Sequence, residues 1–392
     1  MSGARMGLCE DLDAERLRRR LSAKWRTHGA PTLPAWVAEM DYPVAPAIRA
    51  VLERAIELDD FGYPAGRYQR EVPEAFAERM RQRYGWNADP SRVVVLSDVV
   101  QGLYLALLSF TAPGDGVLVQ TPIYPPFLSC VKDTARRLVA SPLRDEGGRY
   151  GIDFDRLRAE APGVRALLLC HPHNPTGRCF TRAELEGLAA LAIEHDWVVL
   201  SDEIHADLTH PGATFVPFAS LGPEVAARTI TLSSASKAFN IAGLRCALAH
   251  LGSDAQLARF DAVLPEHARG GVGILAQHAT VAAWREGEAW LSEVRAALDV
   301  RRQRLVAELG RQLPEAKVYL PEATYLAWID LRALALAPAP AEFFRRHARV
   351  ALSDGHYFGA GFEGFARINF ATSAALLDEI VDRMASAVRG RP

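Results

Sequence analysis

Five short apolar runs recur along the chain: Val93 to Leu96, Val117 to Gln120, Ala166 to Cys170, Trp197 to Leu200 and Thr229 to Leu232. They are short and largely apolar, so each reads as a buried strand. Strands of that kind need helices above and below them. Amphipathic or apolar helix patterns duly fall between them, at 99–110 and 181–195, with another at 46–58 ahead of the first run. The expected fold is α/β, with a mostly parallel sheet in a large domain. An open sheet of this kind places functional groups in the loops beyond the carboxyl ends of its strands. Those loops carry Ser97-Asp98-Val99, Pro122 to Tyr124, His171 to Asn174, Asp202 to His205, and Ser233 to Lys237.

The remaining patterning suggests a second unit. Residues 11–28 read as one Arg-rich amphipathic helix, and 253–312 as largely helical, with the Trp284 to Arg311 stretch linking two domains. We expect a large domain at 46–290 and a smaller α+β domain from 1–45 and 291–392. The 392 residues are enough for two domains, and a formal net charge of −2 offers no surface for nucleic acid. No apolar run reaches a membrane span, and no secretory leader is visible at the start. Five cysteines without a CxxC pair suit reduced thiols in the cytoplasm, and the histidines show no metal-ligand spacing.

The chemistry concentrates at Ser233-Ser234-Ala235-Ser236-Lys237, with Arg245 eight positions on. Lys237 lies between a buried run and the apolar Phe239, Ile241 and Leu244. Loss of water lowers an amine's pKa and makes it a nucleophile. Hydroxyls and a planar cation nearby suit a phosphate. Asp98 and Val99 open a helix directly after a strand, where free N–H groups and the helix dipole favour an anion. Asp98 also reads as a helix N-cap, with Gln101 in the capping-box position. An ordinary loop lysine and structural Ser/Arg contacts would explain the same residues taken singly.

Several strings, in order, resemble the fold-type I pyridoxal phosphate enzymes of the class I/II aminotransferase-like group, and within it the cystathionine β-lyase (C–S lyase) branch. Trp36 to Tyr42 is similar to that branch's "WVADMDF", with Glu39 and Tyr42 as departures. Pro122 to Phe127 resembles "PVYYPF", Cys170 to Arg178 "CNPHNPxGR", and Asp202 to His205 is "DEIH". Tyr325 to Asp330 resembles "TYLAWLD", and the Gly355 to Asn369 region also matches. The resemblance covers about residues 34–370. Asp98 stands where the family usually has glycine, and a family asparagine is replaced within 268–273.

This resemblance implies pyridoxal 5'-phosphate joined to Lys237 as a Schiff base. It implies Asp202 against the ring nitrogen, Tyr124 stacked on the ring, Asn174 at the phenolic oxygen and His205 beside them. Lys237, Tyr124 and Asp202 would be the catalytic set. Asp98, Val99, Ser234, Ser236 and Arg245 would hold the phosphate, joined by Tyr63 from the other subunit of a homodimer with shared sites. Arg367, Asp41 and Tyr357 would meet a small amino-acid substrate, Arg367 by gripping its carboxylate. The implied reaction releases a thiol, pyruvate and ammonia from cystathionine or another cysteine S-conjugate. An aminotransferase fits the same cofactor residues. A specialised lyase or decarboxylating deaminase on a bulky conjugate and a catalytically silent binding protein also stay open.

Overall fold

The computed structural model describes residues 12–64 and 68–391. Its centre is a seven-stranded sheet in the order Val93–Leu96, Ala247–Leu251, Thr229–Ser233, Val198–Asp202, Val164–Cys170, Gly116–Thr121 and Arg137–Pro142. Only the Ala247–Leu251 strand runs against its neighbours. The runs at 117–120, 166–170 and 229–232 are buried end to end, as strands between helical layers require, whereas Val93 to Val95 on the edge strand are half-buried. Register brings the functional ends level, since Cys170 pairs with Asp202 and Asp202 with Leu232.

Helices Val99–Phe110 and Arg182–Glu194 lie where their patterns predict, the second closed by a full capping box between Thr181 and Glu184. Gly102 lets the first pack tightly on the sheet, because a Cβ there would sit 2.8 Å from a Leu232 methyl. A second, antiparallel sheet joins Lys317–Tyr319, Leu326–Asp330, Phe365–Asn369 and Ser353–Asp354. Leu33–Pro34 pairs in parallel with Val350–Ala351, which ties the early chain to the late one. The Trp284 to Arg311 stretch is two helices, Ile274–Glu286 and Glu288–Gln312, meeting at Gly287. A Cβ at Gly287 would fall 2.5 Å from both the Ala283 carbonyl oxygen and the Phe239 ring. Among the described residues no helix is long and apolar enough to cross a membrane.

The opening segment departs from the single helix expected over 11–28. Residue 11 lies outside the described residues, and the rest forms two short turns, Ala14–Leu17 and Ala23–Arg26. A tertiary demand overrides the periodicity. Lys24 and Trp25 turn inward to one carboxylate, with Lys24 Nζ 2.9 Å from Asp41 Oδ2 and Trp25 Nε1 donating to Oδ1 at 2.7 Å. Lys24 and Asp41 are each 1% exposed. Asp41, expected at the substrate, is therefore a structural anchor that lines neither of the cavities described below.

A buried charge that loses its partner costs far more than the intact pair contributes. Asp41→Ala should lower the unfolding free energy in urea by about 3–5 kcal/mol, with the substrate KM of the folded fraction unchanged. A raised KM with unaltered stability would return Asp41 to the substrate site.

Candidate active site

The loops beyond the carboxyl ends of the central strands enclose a cavity of about 450 Å³. Its wall includes Asp98, Val99, Tyr124, Asn174, Asp202, His205, Ser234, Ser236, Lys237 and Arg245, so most of the expected residues come together. Residues that sequence reasoning passed over also line it, among them Val100 and Cys246. They follow or precede the same strand ends, which is the signal that would have found them.

Asp202 ends the Val198–Asp202 strand, and its Oδ1 accepts from the Ile204 N–H at 3.0 Å. Burial pushes its carboxyl up to about 7, while the nearby Lys237 charge opposes the shift. Strand alternation sends the next side chain elsewhere. Glu203 accepts from Ser201 Oγ and from the Phe218 N–H, both at 2.9 Å, and so fixes the loop behind the site. His205 is 2% exposed, and burial holds its imidazole down at about 3, neutral throughout the physiological range. Its buried Nδ1 has no protein partner.

Lys237 donates from Nζ to the Ala38 carbonyl at 2.9 Å. Loss of water around the amine lowers it to about 8, Arg367 adds repulsion, and Asp202 and Glu39 pull the other way. At neutral pH an appreciable fraction of the amine is thus uncharged and nucleophilic. Asn240, in the left-handed region at φ 58°, fixes the turn that carries the lysine. Its side chain accepts from the Met40 N–H and donates to the carbonyls of Met40 and Tyr42 at 2.9–3.0 Å.

Arg367 projects from the Phe365–Asn369 strand and is 5% exposed. Nη1 donates to Asn174 Oδ1 at 2.9 Å, and Nη2 to the Trp36 carbonyl at 2.9 Å and Ser353 Oγ at 3.1 Å. Its buried Nε has no protein partner. Burial lowers the guanidinium to about 10, so it stays cationic at neutral pH. The Phe358 ring lies 5.1 Å from its carbon. The Asn174 carbonyl oxygen being taken by Arg367, its amide N–H groups are the part left for a ligand.

The phosphate end differs from expectation. Asp98 caps the Val99–Phe110 helix by accepting from the Gln101 N–H, but the Gln101 side chain reaches back to Ser97 N at 2.9 Å, so the capping box does not close. The other Asp98 oxygen pairs with Arg245, which neutralises the carboxylate that sequence reasoning had set beside a phosphate. Ser234 donates its hydroxyl to the Cys246 carbonyl at 2.6 Å and accepts from Ser236 N at 3.0 Å. It shapes the turn, leaving Ser236 and the helix N–H groups as the freer donors.

Four expected residues do not line this cavity: Asp41 is the anchor described above, Arg367 lines a neighbouring outer cavity, and Tyr63 and Tyr357 stand apart. Tyr63 is fully exposed, so any part it plays at the cofactor requires a second copy of the chain. Tyr357, 61% exposed, lines the same outer cavity as Arg367.

This donor set fits pyridoxal 5'-phosphate. It offers an amine of lowered pKa, a carboxylate with one protein donor, an unpartnered imidazole nitrogen, a half-buried aromatic ring and an anion-binding helix start. The class I and II aminotransferase family matches residues 37–384. Cystathionine beta-lyase PatB from Bacillus subtilis is 35% identical over 94% of this chain and 96% of its own. A Mycobacterium tuberculosis protein, named as a candidate cystathionine beta-lyase, is 41% identical over 97% of this chain and 98% of its own. The PLP-bound C–S lyase of Staphylococcus hominis superposes with a TM-score of 0.90 at 30% identity, covering 98% of this chain and 99% of the other. Strand-end chemistry and family strings converge, and this chain belongs to the class I and II aminotransferase family.

Proposed function

We propose that the chain cleaves the Cβ–S bond of an L-cysteine S-conjugate, giving a thiol, pyruvate and ammonia. The observation that carries this reading is the placement of Lys237, whose amine burial lowers to about 8, on the same cavity wall as Arg367, whose Nε faces no protein acceptor. A base beside a buried cationic fork suits an α-amino acid, because the fork takes the carboxylate and the base reaches the Cα proton.

Lys237 would hold the cofactor covalently and Asp202 would face its ring nitrogen. Ser236, Arg245 and the first N–H groups of the Val99–Phe110 helix would meet its phosphate. When bound, the group supplies an electron sink for the charge left at Cα. Arg367 fixes the substrate carboxylate and so aims Cα at Lys237. Once the substrate amine has displaced it, Lys237 would take the Cα proton, and the ammonium it becomes would stand ready to protonate the departing sulfur. The C–S electron pair leaves with sulfur, and one water completes the balance to pyruvate and ammonia. Asn369 and Asn240 keep the site's loop from shifting while this happens.

Elimination and amino transfer share their first proton removal, so these residues alone do not separate them. The full-length similarity to C–S lyases supports elimination. The holoenzyme should release thiol, pyruvate and ammonia in equal amounts from a cysteine conjugate, at a rate unchanged by added 2-oxoglutarate. Amino-group transfer to the keto acid, with little pyruvate formed, would make it an aminotransferase.

We further propose a homodimer with shared sites, for which exposed Tyr63 in Phe61-Gly62-Tyr63-Pro64 is the supporting feature. Sedimentation should give a dimer of the 42.9 kDa chain, and mixing inactive Lys237→Ala and Tyr63→Ala dimers should restore some activity through hybrids. A stable, fully active monomer would contradict the shared site.

A further inference from the structure

Outward from Lys237 and Arg367 the site opens into a second cavity of about 720 Å³. That is the size of a pocket for a drug-sized ligand, and the carbons of cysteine itself would occupy little of it. The charges of its outer wall are already matched to one another. Arg345 makes a two-pronged contact with Glu342 at 2.7–2.9 Å, and Arg346 joins the same carboxylate. His356 Nδ1 lies 2.8 Å from Asp354 Oδ1. What these pairs leave facing the space is flat or apolar. Trp36 donates its indole N–H to the Lys24 carbonyl at 3.4 Å, outside the wall, and so presents ring surface. His28 meets that ring edge-on at 5.4 Å, and burial together with Arg345 holds its imidazole below the ordinary value. Tyr357 packs on His356 at 3.8 Å between ring centres. Ala341 and Leu352 complete an apolar floor.

We propose that this outer chamber receives the sulfur substituent of the substrate, and that the substituent is a flat, uncharged, largely apolar group of the aryl or arylmethyl kind. The inference rests on the lyase reading and narrows it. The distal end of cystathionine carries an ammonium and a carboxylate. Both would lose water in a chamber whose opposite charges are already engaged, with no new partner in return. A neutral ring would instead exchange water for the faces of Trp36 and Tyr357.

The test compares S-benzyl-L-cysteine, L-cystathionine and S-carboxymethyl-L-cysteine on the same holoenzyme. Pyruvate release gives kcat/KM, and the change in the holoenzyme's visible absorbance gives binding independently of turnover. S-benzyl-L-cysteine should be favoured by about tenfold or more in both, the scale that matched apolar contacts provide. Glu342→Gln frees Arg345 and should move the preference toward S-carboxymethyl-L-cysteine by roughly tenfold, the order of one charge-assisted hydrogen bond. Pyruvate formed equally well, or better, from cystathionine would overturn the chamber assignment and leave the lyase reading standing. Tight binding of the benzyl conjugate with no pyruvate from any substrate would support the chamber and overturn the lyase reading.

Discussion

Residues 36–42 cross the molecule as irregular backbone, and irregular buried backbone must find partners for every carbonyl. Here each one does, and two of the partners, Lys237 and Arg367, belong to the site. The Trp36 carbonyl takes Arg367, Ala38 takes both Lys237 and the Tyr325 hydroxyl, and Val37 takes Asn369. Glu39 receives Lys24 and Asn369, Asp41 receives Arg20, and Met40 and Tyr42 share Asn240. This segment therefore binds the lysine turn of the central sheet to the arginine strand of the smaller one. The Lys237 amine and the Arg367 guanidinium are positioned against the same few peptide groups.

The electrostatics of the site follow from that enclosure. Lys237 and Asp202 would each be charged and unremarkable in water. Brought together beyond buried strand ends, they shift in opposite directions, the amine down to about 8 and the carboxyl up to about 7. Groups whose environments press their pKa values toward neutrality are poised for proton transfer near physiological pH. The same burial keeps His205 neutral, so it adds hydrogen-bonding capacity without a competing positive charge. Arg367 stays charged through its intrinsically high pKa, which suits it to a fixed electrostatic role.

Much of this was legible in the residues because it rests on local rules. Short apolar runs marked the buried strands, and the residues just beyond each run identified Asp98, Asp202 and the lysine turn. Distant pairing was not legible in the same way. Nothing near Asp41 announces that Lys24 and Trp25 will turn back to it, so an acidic residue in a family string read as a substrate contact. Nor does local sequence foretell that Arg245 will neutralise Asp98, or that Ser234 will donate to a carbonyl. These contacts join residues far apart in the chain. They depend on how the elements meet, and neither periodicity nor spacing encodes that.

The central claim is that Asp202 would lie against the ring nitrogen and, as a carboxylate, would keep a proton on it. Asp202→Asn preserves size and hydrogen bonding while removing the charge. Purified with saturating cofactor, this variant should keep the holoenzyme's visible absorbance. Its kcat for release of pyruvate from a cysteine conjugate should fall by roughly 10²–10³-fold or more. Near-normal kcat with full cofactor content would contradict the account and move the source of activation away from Asp202.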